Sequence, residues 1–231
     1  MHVPDGFIDI PVSIATGAIA VAGVGICLRG ARRELDDRTA PLAGLVASFI
    51  FAVQMLNFPI AGGTSGHLLG GALAAVLVGP YTGALCVAVV LLVQALFADG
   101  GLTALGVNII DMSLVTVIVG YGVVRLLVMV LPKTRTGLLA ATFVGALLSV
   151  VAASAAFTAI YAVGGTTAVP LGTVITAMVG VHVLIGVGEA VITTVTVASI
   201  LTVRPDLVRA ARHLQPKLVL RGASDPVPAR S

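Results

Sequence analysis

HLLGGALAAVLVGP, residues 67 to 80, is the stretch that decides how many times this chain crosses a membrane. It is apolar and uncharged, yet 14 helical residues at about 1.5 Å each reach only about 21 Å. The hydrocarbon core of a bilayer is about 30 Å thick, so the segment cannot cross unaided. Its glycines and alanines suit a short helix sunk among others, with His67 below the membrane surface. Around it lie six longer apolar windows, at about residues 11–28, 40–57, 81–98, 112–131, 137–163 and 170–203. Hydrophobic residues make up 58% of the chain and charged ones 10%, against about 25% charged in soluble domains. The expected fold is an all-α membrane bundle with a single core.

Charge placement tests the count. With the short segment included there are seven spans, and all 13 basic residues fall on one face. Arg29, Arg32, Arg33 and Arg38 follow the first span, and Arg125, Lys133 and Arg135 surround the end of the fifth. Arg204, Arg209, Arg212, Lys217, Arg221 and Arg230 form the tail. The positive-inside rule makes that face cytoplasmic, while an even count would scatter the basic residues over both. The N-terminus and the loops near 58–66, 99–111 and 164–169 then face outward, with Asp5, Asp9, Asp99 and Asp111 as their charges. The chain divides into an extracytoplasmic stub (1–10), a seven-span bundle (11–203) and a basic cytoplasmic tail (204–231). The chain is expected to be multi-pass and surrounded by lipid, with the cell's inner membrane as its expected location. Its net charge of +3 reports orientation rather than nucleic-acid binding. Residues 204–222 read as an interfacial amphipathic stretch, and the final ASDPVPARS as disordered. Cys27 and Cys86 lie in apolar runs and read as small buried residues.

The stub, MHVPDGFIDIP, lacks the basic start and cleavage pattern of a signal peptide. It places an imidazole at position 2. A free amine, the amide nitrogen of residue 2 and Nδ1 of His2 can wrap one ion in a five- and then a six-membered chelate ring. A deprotonated amide ligand demands a strongly polarising ion with a square-planar preference, such as Ni²⁺ or Cu²⁺, with cobalt possible. Such binding displaces protons and weakens in acid. One equatorial position stays open. Of the four histidines, His213 lies on the cytoplasmic tail and His182 near the middle of the last span. His67 follows the outward loop NFPIAGGTSG, where irregular backbone can line a cavity. It is the imidazole on the stub's face at shallow depth. Ser65, Thr64, Asn57 and Asn108 are candidates for locking the two imidazoles from the outward loops. Asp5 and Asp9 either fix the stub or remain solvated turn carboxylates. Glu189, an intramembrane carboxylate about 10 Å along the helix from His182, satisfies a polar group inside the bundle or serves transport directly.

MHVPDGFID at the N-terminus, GGTSGHLLGGALAAVLVGPYTGAL and LLVQALFADGGLTALGVNIIDM together resemble the nickel/cobalt-binding S-components of energy-coupling factor (ECF) transporters, the NikM/CbiM type. The likeness runs to about residue 131 and continues more loosely through HVLIGVGEAVIT. It implies seven spans with the N-terminal stub tucked into an outward pocket. The family's ligands map onto the amine of Met1, the amide and imidazole nitrogens of His2, and the imidazole of His67. GTSGHLLGG is similar to the nickel branch, so Ni²⁺ is the expected substrate and Co²⁺ the second. No catalytic residue or catalytic cofactor is expected. The phosphate-cradling motif GxxxxGK[ST] does not occur. The resemblance therefore implies partners: a transmembrane T-component, two cytoplasmic ATPases and a small accessory membrane subunit.

One rival reading comes from another class. GTSG also fits the Gly-x-Ser-Gly motif of rhomboid intramembrane proteases, with Ser65 as nucleophile and His182 as base. The expected depths of the two residues differ, and the His2 stub would then have no purpose.

Overall fold

Asp9 starts the first helix. Its Oδ1 accepts the amide of Val12 at 2.8 Å, and Pro11 stands in the first turn, where its missing N–H costs nothing. The computed structural model describes residues 1–37, 39–56, 58–59 and 65–214. Among them run seven helices: α1 (Ile10–Ala31), α2 (Thr39–Gln54), α3 (Gly71–Val78), α4 (Pro80–Leu96), α5 (Leu105–Val130), α6 (Arg135–Gly164) and α7 (Leu171–Val203). Other starts follow the same capping logic. Asp36 Oδ1 accepts the amide and hydroxyl of Thr39 before α2, and Thr134 caps α6 through the amide of Gly137. A two-residue antiparallel ladder joins Phe58–Pro59 to Ser65–Gly66 before α3.

Helices α1, α5, α6 and α7 are long and apolar enough to cross a membrane, and α2 and α4 are apolar but shorter. Their surface is that of a membrane protein. Ile14, Val21 and Leu28, seven residues apart on α1, are 68, 74 and 56% exposed. The centre of the bundle is α3, all eight residues of which are buried. Close approach of its neighbours requires small residues. A Cβ at Gly83 of α4 would lie 2.7 Å from the Ala75 nitrogen, and one at Gly120 of α5 would lie 2.8 Å from the Ala72 Cβ. The short segment is thus the buried axis that its length and composition predict.

The helices match the apolar windows closely, with one informative difference. Helix α5 begins at Leu105, seven residues before the predicted 112, and passes through a π-helical stretch at Ile109–Val115. Asp111, read from the sequence as an outward loop charge, lies inside that stretch at 1% exposure. A carboxylate in a window depresses its apolar score, which hid the helix start. The tail also differs from expectation. The described part of the 204–222 stretch, expected to lie at the interface, forms two 3-10 turns, Pro205–Leu207 and Arg209–Leu214, with Val208 and Ala211 buried in the bundle. Residues 215–231, including ASDPVPARS, lie outside the described residues.

The bundle has two distinct ends. At one, Asp9 donates its amide to Gly164 O and Gly101 donates to Val3 O, joining the stub to the loops after α6 and α4. At the other, the buried Glu34 accepts the amide of Thr82 at 2.7 Å and lies 3.9 Å from Arg209. Arg29, Arg32, Arg33, Lys133, Arg135 and Arg204 belong to this second end, reached by the last turns of α1, α5 and α7 and the start of α6.

Candidate metal centre

The stub folds back over the bundle because nearly every peptide in it finds a partner. Ile8 bridges Gly165 in antiparallel fashion, and Thr166 donates its amide to Phe7 O and its hydroxyl to Gly6 O. Phe7 lies against Tyr161 and Phe157, with ring centroids 5.4 and 6.1 Å apart. Asp5 Oδ1 accepts both the amide and the hydroxyl of Thr103, at 2.7 and 2.6 Å. Those bonds hold its carboxyl below the usual carboxylate value. Asn108 pairs with Val3 twice, accepting its amide at 2.8 Å and donating to its carbonyl at 3.2 Å. Gly101 must be glycine, since a Cβ there would strike the main chain of Pro4 and Asp5. The result drives Met1 and His2 inward, to 0 and 5% exposure.

His67 reaches the same place from irregular backbone between the two-residue ladder and α3. Glu189 of α7 accepts the amides of Leu69 and Gly70, at 2.6 and 2.9 Å. Gln54 of α2 donates to Leu69 O at 2.8 Å. In an apolar interior an unpartnered peptide group costs several kcal/mol, so these side chains make the non-helical segment tolerable. Gly70 turns the chain into α3 at φ +79°, and a Cβ there would meet Ile50 at 2.8 Å.

Two imidazoles now face each other. The His2 and His67 ring centroids are 4.5 Å apart, with the planes inclined by 31°. Each ring has its proton placed by a partner. His2 Nε2 lies 3.0 Å from Gln94 Oε1, and His67 Nδ1 lies 2.8 Å from Leu68 O. Carbonyl oxygens only accept, so these nitrogens carry the hydrogens. The lone pairs are left on His2 Nδ1 and His67 Nε2, both buried and both without a hydrogen-bond partner among the described residues. Burial also pushes the Met1 amine down from 8.0 to about 4, against the pull of Asp99 and Asp111, so it is a neutral donor at pH 7. His2 is lowered by burial and by the nearby amine, while Asp99 and Gln94 act in the opposite direction. Asp99 Oδ1 stands 3.4 Å from His2 Nδ1, supplying negative charge rather than a donor.

Among the described residues no three His, Cys, Asp or Glu side chains gather around one point. The main-chain nitrogens next to the His2 ring are the Met1 amine and the His2 amide. Of the residues expected to lock the imidazoles, Asn108 is buried beside the stub but holds Val3 instead of a ring. Asn57 and Thr64 lie outside the described residues, and Ser65 is described only in its main chain. The ring partners, Gln94 and the Leu68 carbonyl, escaped sequence reading. Gln94 is one polar residue in an apolar run, and a carbonyl leaves no mark in a sequence at all. Asp9 serves as the α1 cap described above. Two further buried groups were misread or left open. His182 donates Nδ1 to Met178 O at 2.7 Å, and its Nε2 has no partner among the described residues. Asp111 has both carboxylate oxygens in the same condition. Both are electrostatic neighbours of the Met1 amine.

Similarity to known proteins points the same way. Residues 2–207 match the family described as the cobalt uptake substrate-specific transmembrane region. A relative in Haloquadratum walsbyi, named provisionally for metal transport, is 39% identical over 90% of this chain and 93% of its own length. The fused nickel transport protein of Rhodobacter capsulatus is 41% identical over 50% of this chain, though that stretch is only 33% of the fused protein. A crystal structure of a transition metal transporter superposes with a TM-score of 0.81 at 28% identity, covering 94% of this chain and all of that one. These likenesses name metal transport and give the Ser65/His182 protease reading no support. Membrane-embedded, all-helical and matched over nearly its whole length, the chain belongs to the CbiM-type family of cobalt and nickel transport proteins.

Proposed function

We propose that this chain captures Ni²⁺, with Co²⁺ as second substrate, in a planar site of four nitrogens. The donors are the Met1 amine, the main-chain nitrogen and Nδ1 of His2, and Nε2 of His67. The observation that carries this reading is the pair of imidazoles 4.5 Å apart, each with one ring nitrogen tied to a carbonyl oxygen and the other buried without a hydrogen-bond partner among the described residues. Such a donor set rejects Mg²⁺ and Ca²⁺, which want oxygen, and disfavours tetrahedral Zn²⁺. Cu²⁺ would bind these nitrogens more tightly still, so its exclusion rests on availability in the cell.

The same reading gives the chain its place in an ECF importer of the inner membrane. All seven helical segments count as crossings, the stub (1–10) faces outward, and the basic end, with the tail (204–231), is cytoplasmic. Metal enters from the stub end. The chain performs no hydrolysis itself, and ATP is spent by two ATPase subunits acting through a T-component, with a small accessory membrane subunit beside them.

Titrating the detergent-solubilised chain with Ni²⁺ tests the site. The wild type should bind one equivalent, with a ligand-field absorption band of planar nitrogen coordination. A variant with one residue added ahead of Met1 should lose both, because Met1 is fully buried and its amine is a donor. Undiminished planar binding by that variant would sink the assignment.

A further inference from the structure

Glu189 is a buried carboxylate in the middle of a membrane helix, 2% exposed. Its two oxygens accept the amides of Leu69 and Gly70. The Leu69 amide belongs to the same planar peptide unit as the Leu68 carbonyl, and that carbonyl accepts the Nδ1 hydrogen of His67. We infer that Glu189 is the positioning residue of His67, acting through a single peptide: carboxylate to Leu69 N–H, Leu68 C=O to imidazole Nδ1–H, Nε2 to metal. This inference rests on the planar-site reading.

Three features support it. A metal-bound histidine generally gives its second ring hydrogen to a carboxylate or a carbonyl, which fixes the ring and raises its basicity. Here the two are in series, and each hydrogen bond in such a chain polarises the next one along it. The next peptide is held as well. Its Leu69 O accepts from Gln54 Nε2 at 2.8 Å and its Gly70 N–H donates to Glu189 at 2.9 Å, so side chains from α2 and α7 fix the unit that follows the relay peptide. Finally, the grip spans the fold. Glu189 sits 119 and 120 residues from its partners, so the orientation of His67 depends on where α7 stands.

The test is a double-variant cycle on the full chain, titrated with Ni²⁺ and followed by its ligand-field band. Glu189→Ala should weaken binding by about 10- to 100-fold, as loss of an outer hydrogen-bond partner does at metal sites. Its band should shift toward that of His67→Ala without reaching it. The His67→Ala/Glu189→Ala variant should then bind no more weakly than His67→Ala, since a residue acting only through His67 has nothing left to act on. Glu189→Gln keeps one acceptor and turns an NH2 toward the other amide. It should show a smaller loss with the same direction of band shift, and it serves if the alanine variant fails to fold. Wild-type affinity and band in Glu189→Gln, or additive losses in the double variant, would overturn the inference. A wild type without a planar band would instead overturn the planar site, a distinguishable result.

Discussion

The two halves of the candidate site are held in opposite ways. The stub is fastened at its edges by several partners: Thr103, Asn108, Gly101, Gly164, Gly165 and Thr166. Some of these bonds are open to water, as the Asp5 pair with Thr103 is. The His67 segment is fastened at its centre, by one buried carboxylate and one buried amide side chain. Many replaceable contacts suit a piece that docks and undocks. A few desolvated ones suit a fixed platform, because each is costly to leave unmade. The two halves therefore differ in how they are held: the stub by many bonds, some of them exposed, and the His67 segment by a few buried ones.

That contrast can be broken most severely at its centre. His2→Ala removes a donor and the chelate's second ring, and should abolish the planar Ni²⁺ band while leaving helix content by circular dichroism unchanged. Next in size is Asn108→Ala, which leaves the buried Val3 amide without its acceptor, a cost of about 1–3 kcal/mol. Nickel affinity should fall by roughly 10- to 100-fold with the band position kept, since the site still forms whenever the stub docks. If the band moves, the stub is more than a hinged arm.

Acid sharpens the contrast further. The undocked amine titrates near 8.0 and the docked one near 4, so docking is fully favourable above pH 8 and weakens as pH falls through that window. Nickel affinity should fall at least about tenfold per pH unit across it, as measured by competition titration. Asp5 behaves differently. Its docked value lies below the ordinary 3.8, so its contribution is present above that value and disappears only as pH drops below it. Asp5→Asn should accordingly give the smallest effect of the series, less than that of Asn108→Ala. It should leave the slope of affinity between pH 5 and 8 unchanged.

Much of this was legible in the sequence for identifiable reasons. Apolar windows located seven helices because lipid-facing and core-facing residues alike are apolar, and the short third one was betrayed by its length. His2 and His67 could be paired because chelate geometry at a chain start is covalent and only four histidines exist. What stayed hidden needed three-dimensional adjacency. Nothing in the residues around Gln94 says that its amide meets His2, and nothing around Glu189 says that it meets residues 120 positions earlier. Asp111 was misplaced for a related reason, since a carboxylate marks a loop in hydropathy whether or not the helix continues through it.

The wide turn at Ile109–Val115 has a consequence of its own. A π-helical turn accommodates one residue more than an α-helical one, so excising a single residue from it lets the helix close to regular pitch. Because the wide turn absorbs the extra residue, the faces before and after it keep their register, and Asn108 stays on Val3 while Tyr121 and Arg125 stay in place. A one-residue deletion there should therefore leave the arm docked and displace the buried carboxyl of Asp111, which lies inside the turn.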